Sequence, residues 1–122
     1  MKNSIRLALI GLALASAASL AEDCTAPAVP SLPDGSTATK EQMLEGQKSI
    51  KDYQAANTAY RTCLEPKISA AEVAAAGDSP GPELVAALKT LNDNYNASVS
   101  KEEELATGFN AELKKYKEAN PQ

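Results

Sequence analysis

Residues 24–64 read CTAPAVPSLPDGSTATKEQMLEGQKSIKDYQAANTAYRTCL, and the fold follows from how their two halves fit together. Pro27, Pro30 and Pro33 recur every third residue. Polyproline II has about three residues per turn, so these rings share one face. Ala26, Val29 and Leu32 share the next face, and Ala28, Ser31 and Asp34 form a small polar third. The spacing predicts an amphipathic polyproline strap. The other reading of a proline-rich segment is a disordered tail; the cysteine tether and the apolar second face weigh against it. Asp34-Gly35 is a turn dipeptide. Thr39 followed by Gln42 has the capping-box spacing that opens a helix.

Apolar residues then fall at Met43, Leu44, Ile50, Tyr53, Ala56, Tyr60, Cys63 and Leu64, with the threes, fours and sevens of a helix. Lys48 and Asp52 form an i,i+4 pair on its wet side. The first helix is expected from about Lys40 to Glu65, with a stop or kink near Pro66. At about 1.5 Å per residue, the helix start lies roughly 35 Å from Cys63. A polyproline segment from Cys24 to Thr39 reaches roughly 47 Å at about 3.1 Å per residue. The strap can therefore run back along the helix to Cys63. Prolines about 9 Å apart nearly match tyrosines about 10.5 Å apart. We expect the proline rings to interleave with Tyr60, Tyr53, Ile50 and Met43.

Outward from this stretch, the chain has two cysteines, Cys24 and Cys63, and no histidine. An even cysteine count in an exported chain implies a disulfide, and one pairing exists. Closing that loop restricts the unfolded chain by about 4 kcal/mol in the entropy model. A redox-active pair would need Cys-x-x-Cys spacing or an activating neighbour, and neither is present.

The export reading comes from the N-terminus, MKNSIRLALIGLALASAASLAEDC. Lys2 and Arg6 form a positive head, Leu7–Ala18 an apolar core, and Ser19-Leu20-Ala21 a small-residue site suited to cleavage before Glu22. The apolar core is shorter than the roughly 20 residues a bilayer anchor needs. Glu22 and Asp23 before Cys24 disfavour lipidation. Residues 1–21 are thus read as a removed signal peptide, residues 22–39 as the strap and residues 40–122 as the helical domain. The expected address is periplasmic or secreted, without a membrane span in the mature chain. Cleavage removes two of the twelve basic residues and none of the sixteen acidic ones, so ten basic face sixteen acidic, a net −6. That excludes the basic stripe of a nucleic-acid binder and attraction to anionic lipid. Lys114, Lys115 and Lys117 form a local exception that suits a helix C-terminus.

After Pro66, KISAAEVAAAG is strongly helical, either a kinked extension or a short new helix. Residues 77–82, GDSPGP, are the clearest break in the chain. Beyond it Leu84, Leu88, Leu91, Tyr95, Leu105, Phe109 and Tyr116 continue a heptad-like phase that passes through polar Ser98 and Glu102. This predicts a second long helix, Pro82 to Glu118, packed antiparallel on a first arm, Lys40 to Ala76. The fold class is therefore all-α: an αα-hairpin with its strap disulfide-linked to the end of helix one. Asn92–Ser100 is poor in helix formers, so a continuous helix with a weak middle and a break near Asn96–Ser100 both stand. The run Asn92–Glu103 echoes a calcium loop but lacks the acidic first and glycine sixth places. Asn96-Ala97-Ser98 is formally a glycosylation sequon.

The absence of histidine removes Ser-His and Cys-His catalysis and the commonest zinc ligand. Glu102-Glu103-Glu104 reads as a solvated helix face, and Glu41 with Glu45 as dipole-favoured carboxylates. No catalytic, cofactor or metal residue is assigned, and the disulfide pair Cys24 and Cys63 is the only site expectation. The spacing C-x-x-P-x-x-P-x-x-P-D-G, with Y-x-x-C-L and F-N-x-x-L-x-x-Y-K closing the two helices, resembles a group of small exported proteins of Gram-negative proteobacteria. The resemblance covers nearly the whole mature chain, implies a periplasmic address and assigns no functional residue. The repeat of the LTxxQ periplasmic stress proteins is absent. The functional expectation is a non-enzymatic envelope protein that binds an envelope partner or its own copy, without a cofactor. The alternative is a carrier of a small molecule or cation between strap and hairpin.

Overall fold

A computed structural model describes residues 23–122; the signal-peptide reading falls on residues 1–21, outside them. Among the described residues there are two helices, α1 (Lys40–Ala75) and α2 (Pro82–Ala119). They pack antiparallel: the same clefts hold Met43 with Tyr116 and Ile68 with Asn92, and Asn57 bonds to Glu102 between them. No strand occurs among the described residues.

The start of α1 is built as its sequence requires. Thr39 Oγ1 accepts from the Gln42 N–H at 3.2 Å, and Gln42 Oε1 accepts from the Thr39 N–H at 2.8 Å. Before it, Asp34 organises the turn. Its carboxylate accepts from the Ser36 N–H at 3.0 Å, and its carbonyl from the Thr37 and Ala38 N–H groups. Lys48 and Asp52 pair at 2.6 Å on the exposed side.

Two alternatives left open by the sequence are decided along the helices. Helix one does not stop near Pro66, and no separate short helix follows; α1 is 36 residues long with Pro66 inside it. Proline removes one backbone bond, to the Thr62 carbonyl. Thr62 and Pro66 are both exposed, so water can take that acceptor's place. Buried Leu64 and the disulfide at Cys63 hold the turn before it. The break near Asn96–Ser100 is also absent: α2 is one helix of 38 residues. Its weak middle is held by tertiary bonds from α1, described below.

The buried residues of α1 are Met43, Gly46, Ile50, Tyr53, Asn57, Tyr60 and Leu64, an unbroken alternation of threes and fours. Leu105 joins Ile50 and Tyr53 in the central cluster, against which Leu32 and Phe109 pack. The strap is therefore a third layer over the groove between both helices, where the sequence reading had placed it on helix one alone. Residues 23–33 are neither helix nor strand. Pro27, Pro30 and Pro33 all turn partly inward. Of the second face only Leu32 does; Ala26 is exposed and Val29 is 47% exposed. Three glycines let the layers approach. A Cβ on Gly46 would stand 2.8 Å from Pro33, one on Gly108 2.7 Å from Leu32, and one on Gly35 1.8 Å from the Glu112 carbonyl oxygen. The ladder expected against tyrosines is thus seated partly on glycine. Pro27 shares a crevice with Tyr53 and Tyr60, whereas Met43 lies in a cleft with Phe109, Leu113 and Tyr116 that no strap residue lines.

Candidate functional site

The one predicted site pair is joined. Cys24 and Cys63 form a disulfide with Cα atoms 5.7 Å apart across 39 residues of sequence. Gly35 fixes the other end of the strap, its N–H donating to Glu112 Oε2 at 2.8 Å. Lys115 bonds the same carboxylate at 2.7 Å. The Lys115 hydrogen bond, then that of Gly35, holds the Glu112 carboxyl below the ordinary carboxylate range. The strap is clamped at both ends, covalently to α1 and by a charge-assisted hydrogen bond to α2.

Between the clamps lies a polar cluster that the sequence reading missed. Asn57 is 1% exposed, and its amide nitrogen donates to the Ser98 carbonyl and to Glu102 Oε2, both at 2.9 Å. Arg61 donates to the same Glu102 oxygen at 2.9 Å and to Ser98 Oγ at 3.2 Å. Glu102 is thereby corrected: it belongs to an inter-helix ion pair with side chains 17% and 25% exposed, whereas Glu103 and Glu104 are solvated. The Arg61 hydrogen bond keeps its carboxyl below the ordinary range, opposed by burial and helped by Asn57. A lone asparagine on an otherwise apolar helical seam fixes register. Asn57 does so here by reaching one backbone carbonyl of α2.

On the strap side, Ala26, Pro27, Tyr53, Asn57, Tyr60 and Ser98 enclose a cavity of about 90 Å³ whose rim is completed by Asn94, Ala97 and Lys101. On the other side of the hairpin three shallow clefts follow one another, and none is lined by a strap residue. They hold Met43, Leu44, Phe109 and Leu113, then Gln54, Arg61 and Val99, then Ile68, Asn92 and Tyr95.

The remaining candidates are not brought together. Residues 92–103 are helical, which turns Asn94 to the side opposite Asn92 and Asn96 instead of gathering the three around one ion. Glu41 and Glu45 are both exposed. No group of three or more His, Cys, Asp or Glu side chains that could hold a metal ion occurs among the described residues. No helix there is long and apolar enough to cross a membrane. Comparison with protein-family models, curated proteins and solved structures finds no match.

Proposed function

We propose that this chain is a non-enzymatic protein of the cell envelope, a disulfide-clamped helical hairpin that presents one face to a partner protein. The observation carrying this reading is the asymmetry of cover. The strap closes one side of the inter-helix groove and leaves the other open. Val85, Asn92, Val99, Ala106 and Leu113 recur every seven residues along α2 and so share a stripe. Val85 is 50% and Val99 37% exposed, and Leu44 on α1 is 56% exposed. Apolar exposure in line is what a partner helix covers. The disulfide suits an oxidising compartment, and the resemblance to small exported proteins supports the same address.

Site-specific photo-cross-linking in native cells tests the reading, with the probe at Val99 and, as control, at Ser36 on the exposed turn. The expected result is one reproducible envelope protein captured from Val99 and not from Ser36. Equal capture from both positions would refute the open face as the docking side. Capture of a second copy alone would make the protein a homo-oligomer.

A further inference from the structure

The cavity beneath the strap has a feature that ordinary packing does not account for. Tyr53, Asn57 and Tyr60 are 5%, 1% and 8% exposed. Neither tyrosine hydroxyl has a hydrogen-bond partner among the described residues, and both bonds of Asn57 are made by its nitrogen, leaving Oδ1 free. Yet no buried side-chain nitrogen or oxygen there is sealed off without a partner. All three oxygens therefore open onto reachable space. The cavity of about 90 Å³ is the space that all three residues line.

Three oxygens without a protein partner, on residues more than nine-tenths buried that line one cavity, leave hydrogen-bonding capacity there for water or a guest. The space is that of about three waters at liquid density. Lys101, on the rim, has no carboxylate partner within salt-bridge reach among the described residues. Glu102 does not line the cavity; it is bonded to Asn57 and Arg61 on the far side of the seam, with its charge still acting on Tyr53. Burial, reinforced by that charge and opposed by Arg61, raises the Tyr53 pKa and keeps the phenol a proton donor.

We propose that this cavity is a binding site for a small zwitterion of the size of a simple amino acid, its ammonium group on Asn57 Oδ1 and its carboxylate between the Tyr60 hydroxyl and Lys101. The donors and acceptors match at both ends: Asn57 Oδ1 accepts only, an ammonium donates only, and Lys101 and a carboxylate are the complementary pair. The strap roofs the site through Ala26 and Pro27, two and three residues from the disulfide. Occupancy therefore depends on the Cys24–Cys63 bond. This site lies under the strap and does not rest on the open-face reading, so either can fail alone.

The experiment is a titration of the mature, disulfide-intact protein with glycine, followed by amide and side-chain NMR shifts. Acetate and ethylamine serve as half-ligands. The expected result is saturable glycine binding that moves Ala26, Lys101 and the Asn57 side-chain amide, with each half-ligand at least about tenfold weaker. Tyr60→Phe and Lys101→Met should each weaken glycine by about tenfold, with the melting temperature unchanged. No saturable shift with glycine would overturn the proposal, as would acetate binding as tightly as glycine. Undiminished affinity in both variants would overturn it too.

Discussion

The half of the hairpin under the strap and the half beyond the disulfide are made from the same two helices, yet only the first has an interior. Every buried residue of α1 lies between Met43 and Leu64, and those of α2 are Ser98 and Leu105. Beyond them the apolar residues are as regular but stay half-exposed: Ile68, Leu84, Leu88, Leu91 and Tyr95. Val73 is 78% exposed. Two helices touch along a line and cannot cover each other's flanks. A third element is needed to close a core, and in this chain about ten residues of proline-spaced strap supply it. The strap itself is ordered at little backbone cost, because proline fixes φ before folding.

Breaking the clamp should therefore have the largest effect and should act on one half only. Replacing Cys24 and Cys63 together by serine is expected to remove about 4 kcal/mol. Chemical denaturation gives the loss, and hydrogen exchange locates it. Amides of residues 43–64 should lose protection far more than those of residues 66–75. Equal loss in both halves would show that the strap is not what distinguishes them. The glycines sharpen the same point, since each admits a different strap atom. Gly35→Ala drives a Cβ into the backbone of α2, so it should cost about 3 kcal/mol, the upper end of overpacking. Gly46→Ala meets the stiff Pro33 ring with Phe109 close by; about 1 kcal/mol of helix propensity offsets part of that strain. Gly108→Ala meets the free end of Leu32, which can turn aside, so the change should be near neutral. Thermal melts of the three variants, with Gly81→Ala as an open-space control, should follow that order.

At the boundary between the halves, Asn57→Ala leaves Glu102 with one partner fewer and the Ser98 carbonyl with only its helical bond, an expected loss of about 2 kcal/mol. The ion pair also fixes an acid limb. Glu102 has its carboxyl lowered from 4.5, chiefly by Arg61. A group depressed in the folded state contributes stability above its unfolded pKa and loses it as pH falls through the folded value. Stability should thus be flat above about pH 5 and fall below it. Glu102→Gln should lower the plateau and shrink the fall, read from denaturant midpoints across pH. A fall of undiminished size in that variant would assign the acid limb to Glu112 and Asp34, whose carboxyls are lowered as well.

Much of this architecture is legible in residue spacing. The capping box, the turn at Asp34, the break at residues 77–82 and the proline period are local chemistry. The seam of α2 is readable through Ser98 and Glu102 because its phase survives two polar residues. What was not legible has one cause. The seam of α1 runs through Gly46 and Asn57, residue types that seldom mark a core, and the apolar list favoured Ala56 over Asn57. Strict alternation of threes and fours from Met43 to Leu64 would have selected both. The identity of what covers them lies in tertiary contact: a strap against Gly46 and a facing carbonyl against Asn57. The unpartnered oxygens beneath the strap are further from the sequence still, because they depend on which bonds are not made.

The smallest expected effect is the one that separates folding from use. Val73→Ser and Val85→Ser lie in the uncovered half at side chains already 78% and 50% exposed. Little water-free surface is lost there, and each should change stability by less than about 0.5 kcal/mol. If these residues serve only as chain, neither substitution should alter anything else. If Val85 belongs to a docking stripe with Val99, its serine variant should fold as the parent does and yet lose cross-linking from Val99. Val73, on the other helix and off that stripe, should leave cross-linking intact. A stability loss above about 1 kcal/mol from Val85→Ser would mean that the bare half packs more tightly than its exposure indicates, and the contrast between the halves would fail there first.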